Sequence, residues 1–306
     1  MSLLVVGSVA LDSVETPFGK AEDVIGGSAT FFAASASHFN SVQLVGVVGD
    51  DYPTDQLAPL AARGVDLSGL ERAAGRSFRW RGRYRHDLNA AETLETHLGV
   101  FSHFSPKIPP QFRSAPYVFL GNIDPRLQLD VLRQVEKPKL VACDTMNFWI
   151  ESRRPELVEL LKHVDVITIN DAEARQLTDR VNLVKAARWI LERGPRYVII
   201  KKGEHGAYLF HERTIFFAPA YPLEDVFDPT GAGDSFAGGF MGYLARAGRF
   251  DREHLRRAVI YGSAMGSFAV ERFSIGRLLE VGMADIVSRI REFRDLVAFE
   301  EEMPAQ

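Results

Sequence analysis

Short, mostly apolar runs recur along the chain, at residues 3–6, 42–48, 117–120, 140–143, 164–169 and 197–200. They lack alternation with polar positions, so each predicts a strand buried on both faces. Apolar residues at helical spacing lie between most of them, as at 126–135, 155–162 and 182–192. That alternation predicts a mostly parallel sheet sandwiched by helices. Past residue 234 the pattern is mainly helical, over 235–247, 252–270 and roughly 284–296.

The rhythm breaks at residues 76–86. Phe78, Trp80, Tyr84 and His86 alternate there with Arg79, Arg81, Arg83 and Arg85. A period of two predicts a strand with one aromatic and one basic face. No helical pattern separates it from residues 93–104, which also read as extended. The two stretches together predict an antiparallel excursion from the main sheet. A half-buried hairpin over a helix fits this pattern. So does a lid whose aromatic face covers a ligand or a second chain while its arginines face solvent. The aromatic row and an unpaired edge lead us to expect a homodimer through this excursion; the alternative is a monomer whose lid folds back over its own site.

Composition narrows the function classes. The 306 residues, 46% of them hydrophobic, suffice for one large α/β domain over residues 1–306. A net charge of −4 gives no electrostatic case for nucleic acid or an anionic membrane. The single cysteine, Cys143, excludes an internal disulfide and a cysteine-based zinc cluster. The eight histidines show no His-x-x-x-His spacing for a transition metal. No apolar run approaches a membrane span, and residues 1–7 read as a strand rather than a signal peptide. The expectation is a soluble, cytoplasmic protein.

The most specific chemistry lies in Asp228-Pro229-Thr230-Gly231-Ala232-Gly233-Asp234-Ser235-Phe236. Two glycines let the backbone approach an anion, and a helix begins beside them with its free N–H groups. An aspartate repels phosphate, so Asp234 at this junction suggests a general base next to a transferring phosphoryl group.

This string resembles the second signature of the ribokinase-like (pfkB) carbohydrate kinase family, which includes adenosine and other nucleoside kinases. The resemblance implies a ribokinase-like three-layer α/β/α sandwich with a small β lid, in segments about 13–24 and 76–103. It implies transfer of the γ-phosphate of ATP to a hydroxyl of a small sugar or sugar-containing substrate, with Mg2+. Asp234 would be the base, and the N–H groups of Gly231, Ala232 and Gly233 would hold the developing charge. Thr230 would lie on the ATP side. Asp228 occupies the position that helps hold a monovalent cation, K+, in relatives; a turn aspartate is the other reading.

Further motifs follow in the order the family would require. Asp12, after the first predicted strand, would grip substrate hydroxyls. Gly26-Gly27, before a helix of small residues, resembles the first signature and would hinge the lid over the substrate. Many sugar kinases of the family carry an asparagine where this chain has Phe31. That aromatic suits a flatter ligand such as a nucleoside base, or belongs to the core. Asn122, Asp144 and Asn147 follow strands at the edge where α/β proteins bind ligands; Asn122 is the expected substrate contact. Asn170 and Glu173 resemble the N-x-x-E motif that organises Mg2+ through water, although a helix cap is the plainer reading. Lys202, Gly203 and Gly206 resemble a turn beside the nucleotide. Ser263 lies on a late helix where relatives line the adenine pocket.

Two other classes compete with a sugar or nucleoside kinase. A non-catalytic regulator could keep the fold. A nicotinamide oxidoreductase is weakened because Gly7-Ser8-Val9-Ala10 is not G-x-G-x-x-G.

Overall fold

The computed structural model describes residues 2–298; Met1 and residues 299–306, the two ends of the domain expected over 1–306, lie outside the described residues. The first strands are β1 (Leu3–Val6), β2 (Ala10–Thr16), β3 (Gly19–Gly26), β4 (Val42–Val48) and β5 (Val65–Arg72). Next come β6 (Phe78–Tyr84), β7 (Ala91–His97), β8 (Tyr117–Leu120) and β9 (Leu140–Asp144). The last are β10 (Val166–Asn170), β11 (Tyr197–Lys201), β12 (Ala207–His211) and β13 (Thr214–Ala218). The helices begin with α1 (Ser28–Ala36), α2 (Ala58–Ala62), α3 (Pro125–Leu132), α4 (Asn147–Ser152) and α5 (Arg154–Leu161). They continue with α6 (Asp171–Thr178), α7 (Leu183–Leu191), α8 (Ala232–Ala247), α9 (Arg252–Ala269), α10 (Gly276–Glu280) and α11 (Met283–Val297).

A nine-stranded sheet runs in the order β13-β12-β11-β10-β9-β8-β1-β4-β5. The strands from β10 through β5 pair in parallel, as does β11 with β10; β12 and β13 close one side antiparallel. Helices cover both faces. Alternate residues of β1 show why its run is unbroken. Leu3 and Val5 enter one core with α1, α8 and α9, while Leu4 and Val6 enter the other with α5, α6 and α7. Burying each such side chain stabilises the fold by roughly 1.5–3 kcal/mol. The chain runs from β1 outward to β4 and β5, then returns to β8 on the other side of β1. Such a reversal opens a crevice at the carboxyl ends of the strands, where α/β proteins bind ligands.

The excursion is a second sheet in the order β3-β2-β6-β7. Two expectations are corrected here. The sheet is mixed rather than antiparallel, because β2 and β6 pair in parallel, Ala10 against Phe78 and Glu15 against Arg83. Each follows a parallel strand of the main sheet, β1 and β5, so both leave it in the same direction. The stretch expected to be extended over 93–104 ends its strand at His97 and turns into a 3-10 segment, Gly99–His103.

The arginine face is also less solvated than expected. Arg79 pairs with Asp51 at 2.6 Å and Asp23 at 3.3 Å, and Arg83 pairs with Glu15 at 3.2 Å. The aromatic face is partly covered within the chain. Phe78 stacks on Phe101 with centroids 5.1 Å apart, and Trp80 Nε1 donates to Thr93 Oγ1 at 3.2 Å. Tyr84 is buried.

Candidate active site

Asp12 lies within β2 rather than in a loop beyond β1, and the strand holds its side chain against the diglycine. A side chain on Gly26 would run into the Asp12 carboxylate, so this position must be bare. Gly27 N donates to Asp12 Oδ2 at a long 3.4 Å. Gly27 itself has φ 91° and opens α1, a conformation that side chains disfavour. Ser8 and Ser28 lock the end of β1 to this helix. Ser28 N donates to Ser8 Oγ at 3.0 Å, and Ser8 N donates to Ser28 Oγ at 3.1 Å. Burial pushes the Asp12 pKa up to about 7, with added repulsion from Asp228 and Asp234. The three aspartates therefore share one electrostatic neighbourhood. Tyr52 joins it: burial and the Asp12 charge push its phenol up.

The signature turn is built by Asp228. Its Oδ1 accepts from Thr230 N at 2.9 Å and its Oδ2 from Ser274 N at 3.1 Å. Gly231 then adopts φ 73° as the cap of α8. A side chain there would also collide with the Phe31 ring, which lies directly against it. Phe31 is 2% exposed, so its ring serves as the floor of the turn. The helix starts at Ala232, which puts Asp234 in its first turn, at the third position. Burial pushes Asp234 up to about 7; Asp144 raises it further and Lys201 opposes.

The expected nucleotide side divides in two. Asn170 caps α6 in a reciprocal box: its Oδ1 accepts from Glu173 N at 2.8 Å, and Asn170 N donates to Glu173 Oε2 at 2.9 Å. Glu173 is thus a helix cap, the plainer of the two readings. Burial nonetheless pushes its pKa up to about 7, with Asp144 and Asp234 raising it and Lys201 lowering it. It therefore faces the same centre as Asp234.

Gly203 and Gly206 frame a tight turn after β11, with Lys202 N donating to Gly206 O at 2.8 Å. The Lys202 ammonium sits 6.0 Å from the Tyr208 ring. Its neighbour Lys201 enters the site instead. Lys201 Nζ is 3.4 Å from Asp144 Oδ2. Ser263 is half-buried on α9, a turn before Gly266, which packs towards the Ala232 carbonyl.

The remaining strand-end residues are drawn into local bonds. Asn122 Oδ1 accepts from Trp149 Nε1 at 3.0 Å, and its Nδ2 donates to Met146 Sδ at 3.1 Å. Asp144 Oδ1 accepts from Thr145 N at 2.7 Å, leaving Oδ2 to Lys201. Asn147 is exposed at the start of α4.

Sequence reading missed Tyr52, Tyr84 and Lys201 as site residues. Tyr84 carried a visible strand period, but its partner was unforeseen: Thr230 Oγ1 donates to Tyr84 Oη at 3.3 Å. Lys201 was one position from Lys202, and the alternating faces of β11 decide between them.

The arrangement puts carboxylates at a helix start beside a glycine turn in which Ala232 N already donates to Pro229 O at 3.2 Å. Comparisons with known proteins give the family. The model of the pfkB family carbohydrate kinases matches residues 3–280. A cytidine kinase of Thermococcus kodakarensis is 31% identical over 253 residues, 80% of this chain and 89% of that protein. The crystal structure of aminoimidazole riboside kinase from Salmonella enterica, complexed with aminoimidazole riboside and an ATP analog, superposes with a TM-score of 0.76. It is 21% identical, covering 95% of this chain and 100% of that one. A structure named as a ribokinase II from E. coli, in complex with ATP and Mg2+, gives 0.78 at 19% identity over 95% and 99%. Among the described residues no helix is long and apolar enough to cross a membrane.

Proposed function

Since this chain belongs to the pfkB family of carbohydrate kinases, an ATP-dependent phosphotransferase with an alcohol acceptor, we propose that it phosphorylates a nucleoside with Asp234 as general base. The observation that carries this reading is the half-buried Asp234 carboxylate at the third position of α8, its pKa pushed up to about 7 by desolvation and Asp144, in the same electrostatic neighbourhood as Asp12. A base with that pKa balances being deprotonated against being basic enough.

The residues divide the work. Asp12 accepts hydrogen bonds from substrate hydroxyls, and Gly26-Gly27 give the acceptor access beside it. Asn122, near the end of β8, lies at the same strand edge. The reacting hydroxyl gives its proton to Asp234 as its oxygen attacks the γ-phosphorus. The bond to the ADP oxygen breaks, and ADP leaves with the electron pair. The N–H groups of Gly231 and Gly233 are assigned to the phosphoryl oxygens while charge builds on them; Ala232 N–H, which donates to Pro229 O at 3.2 Å, would have to turn from that bond to join them. Thr230, the turn at Gly203 and Gly206, and Ser263 are assigned to the nucleotide.

Mg2+ fits this donor set. Among the described residues no three His, Cys, Asp or Glu groups could hold a metal together. Mg2+ usually keeps several waters and takes one or two carboxylates plus substrate phosphates, which Glu173 and Asp144 can provide. When bound, the ion neutralises phosphate charge. A monovalent cation at Asp228 would share oxygens that already accept two backbone N–H groups.

A nucleoside is favoured over a free sugar for two reasons. The cytidine kinase is similar over most of both chains. The asparagine of many sugar kinases is replaced by Phe31, whose ring is spent on Gly231. A phosphorylation screen of ribose, fructose, adenosine, inosine and cytidine with magnesium ATP tests this. A nucleoside should give the highest kcat/KM; preference for ribose or fructose would overturn it.

A further inference from the structure

Lys201 is a charged group at the centre of the site that the mechanism above leaves unused. Its side chain is 17% exposed at the end of β11, and its ion-pair contact to Asp144 is a long 3.4 Å. Its Nζ also abuts the backbone of Gly233: a Cβ built there would stand 2.7 Å from it. Burial works against the charge of Lys201, while Asp144, in direct contact, and then Glu173 and Asp234 favour it and raise its pKa.

This placement is electrostatically unusual. The first turn of α8 carries the positive end of the helix dipole. A cation is disfavoured there unless anions accompany it. Asp144 pairs with the ammonium at 3.4 Å, and Gly233 belongs to the turn read as facing the phosphoryl group.

We propose that the Lys201 ammonium contacts the γ-phosphoryl oxygens of ATP, completing with the Gly231 and Gly233 N–H groups the cage around the group being transferred. This rests on reading that turn as the phosphoryl site. Lys201 moves no proton; it matches charge that spreads over the phosphoryl oxygens as the bond to ADP breaks. The bare position at Gly233 is what lets the lysine reach the turn.

The test compares nucleotides that differ in the γ group. Lys201→Met should lose ~10-fold or more in affinity for AMP-PNP while its affinity for ADP stays within ~3-fold, by calorimetry. Its kcat should fall by ~10²–10³-fold, the range for removing one such donor. Lys201→Arg, which keeps the charge, should recover part of both. In the unaltered protein, the Lys201 Nζ nitrogen resonance should move on adding AMP-PNP and not on adding ADP. This measurement needs no folded variant. Equal losses for the two nucleotides, or a resonance that responds to both alike, would overturn the role of Lys201 alone. An unaltered protein that binds neither nucleotide would overturn both that role and the phosphoryl-site reading.

Discussion

Tyr84, in the small sheet, shares a hydrogen bond with Thr230 of the signature turn, Oη to Oγ1 at 3.3 Å. The small sheet therefore touches the signature turn of its own chain. A second tie lies further along the hairpin, where Glu204 N donates to Asn89 Oδ1 at 3.3 Å beside Gly203. One hairpin thus touches two loops assigned to ATP.

That tie has a kinetic consequence. Tyr84→Phe keeps the ring and removes the hydroxyl, at a cost of about 0.5–1.5 kcal/mol for one hydrogen bond. We expect kcat/KM to fall by roughly 2–12-fold, the equivalent of that cost. ATP hydrolysis relative to acceptor phosphorylation should rise, because a looser lid admits water. A coupled assay that finds both unchanged would remove Tyr84 from lid closure.

Asp12 should act on the acceptor side. Asp12→Ala leaves buried hydroxyls unpaired, costing roughly 1–3 kcal/mol, and should raise the acceptor KM by about 5–150-fold. The KM for ATP should stay near its original value. A change confined to ATP would put Asp12 on the wrong side of the site.

The same carboxylate links stability to pH. Its folded pKa, about 7, is above the ordinary 3.8. Between those values the folded chain holds a proton that the unfolded chain has released, so stability falls as pH rises and the benefit is gone above 7. Asp12→Asn cannot ionise. Its Tm relative to the unaltered, unliganded protein should therefore be higher at pH 8 than at pH 5. An equal difference at both values, by scanning fluorimetry, would deny that Asp12 is strained.

How much of this was legible in the sequence depends on what each residue's signal reports. Apolar runs placed β1, β4 and β8, because strands buried on both faces carry few polar residues. The edge strand β5 escaped because its outer residues are partly exposed and its apolar run is broken. The local string around Gly231 revealed the turn, since its chemistry is contiguous. Lys201 and Tyr52 were hidden because they join the site through packing between distant segments. Likewise, the aromatic row signalled a surface needing cover, but period alone could not say that Phe101 and Thr230 of the same chain supply it.

The expected homodimer now rests on the edge of the lid rather than on its aromatic row. All seven residues of β7 are exposed, and one edge of that strand is unpaired among the described strands. An open edge invites a second strand, and a two-fold axis would pair β7 with its copy. Sedimentation at micromolar concentration should give twice 34.1 kDa, and Thr93→Pro should shift it towards monomer. A single 34.1 kDa species unaffected by concentration would rule the dimer out.

Asp234→Asn is the most direct test of the catalytic assignment, because it keeps size and shape and removes only the basic carboxylate. Pre-steady-state phosphoryl transfer should slow by at least ~10²-fold, with ATP binding nearly unchanged by calorimetry. A variant that transfers phosphate at close to the original rate would contradict Asp234 as the base.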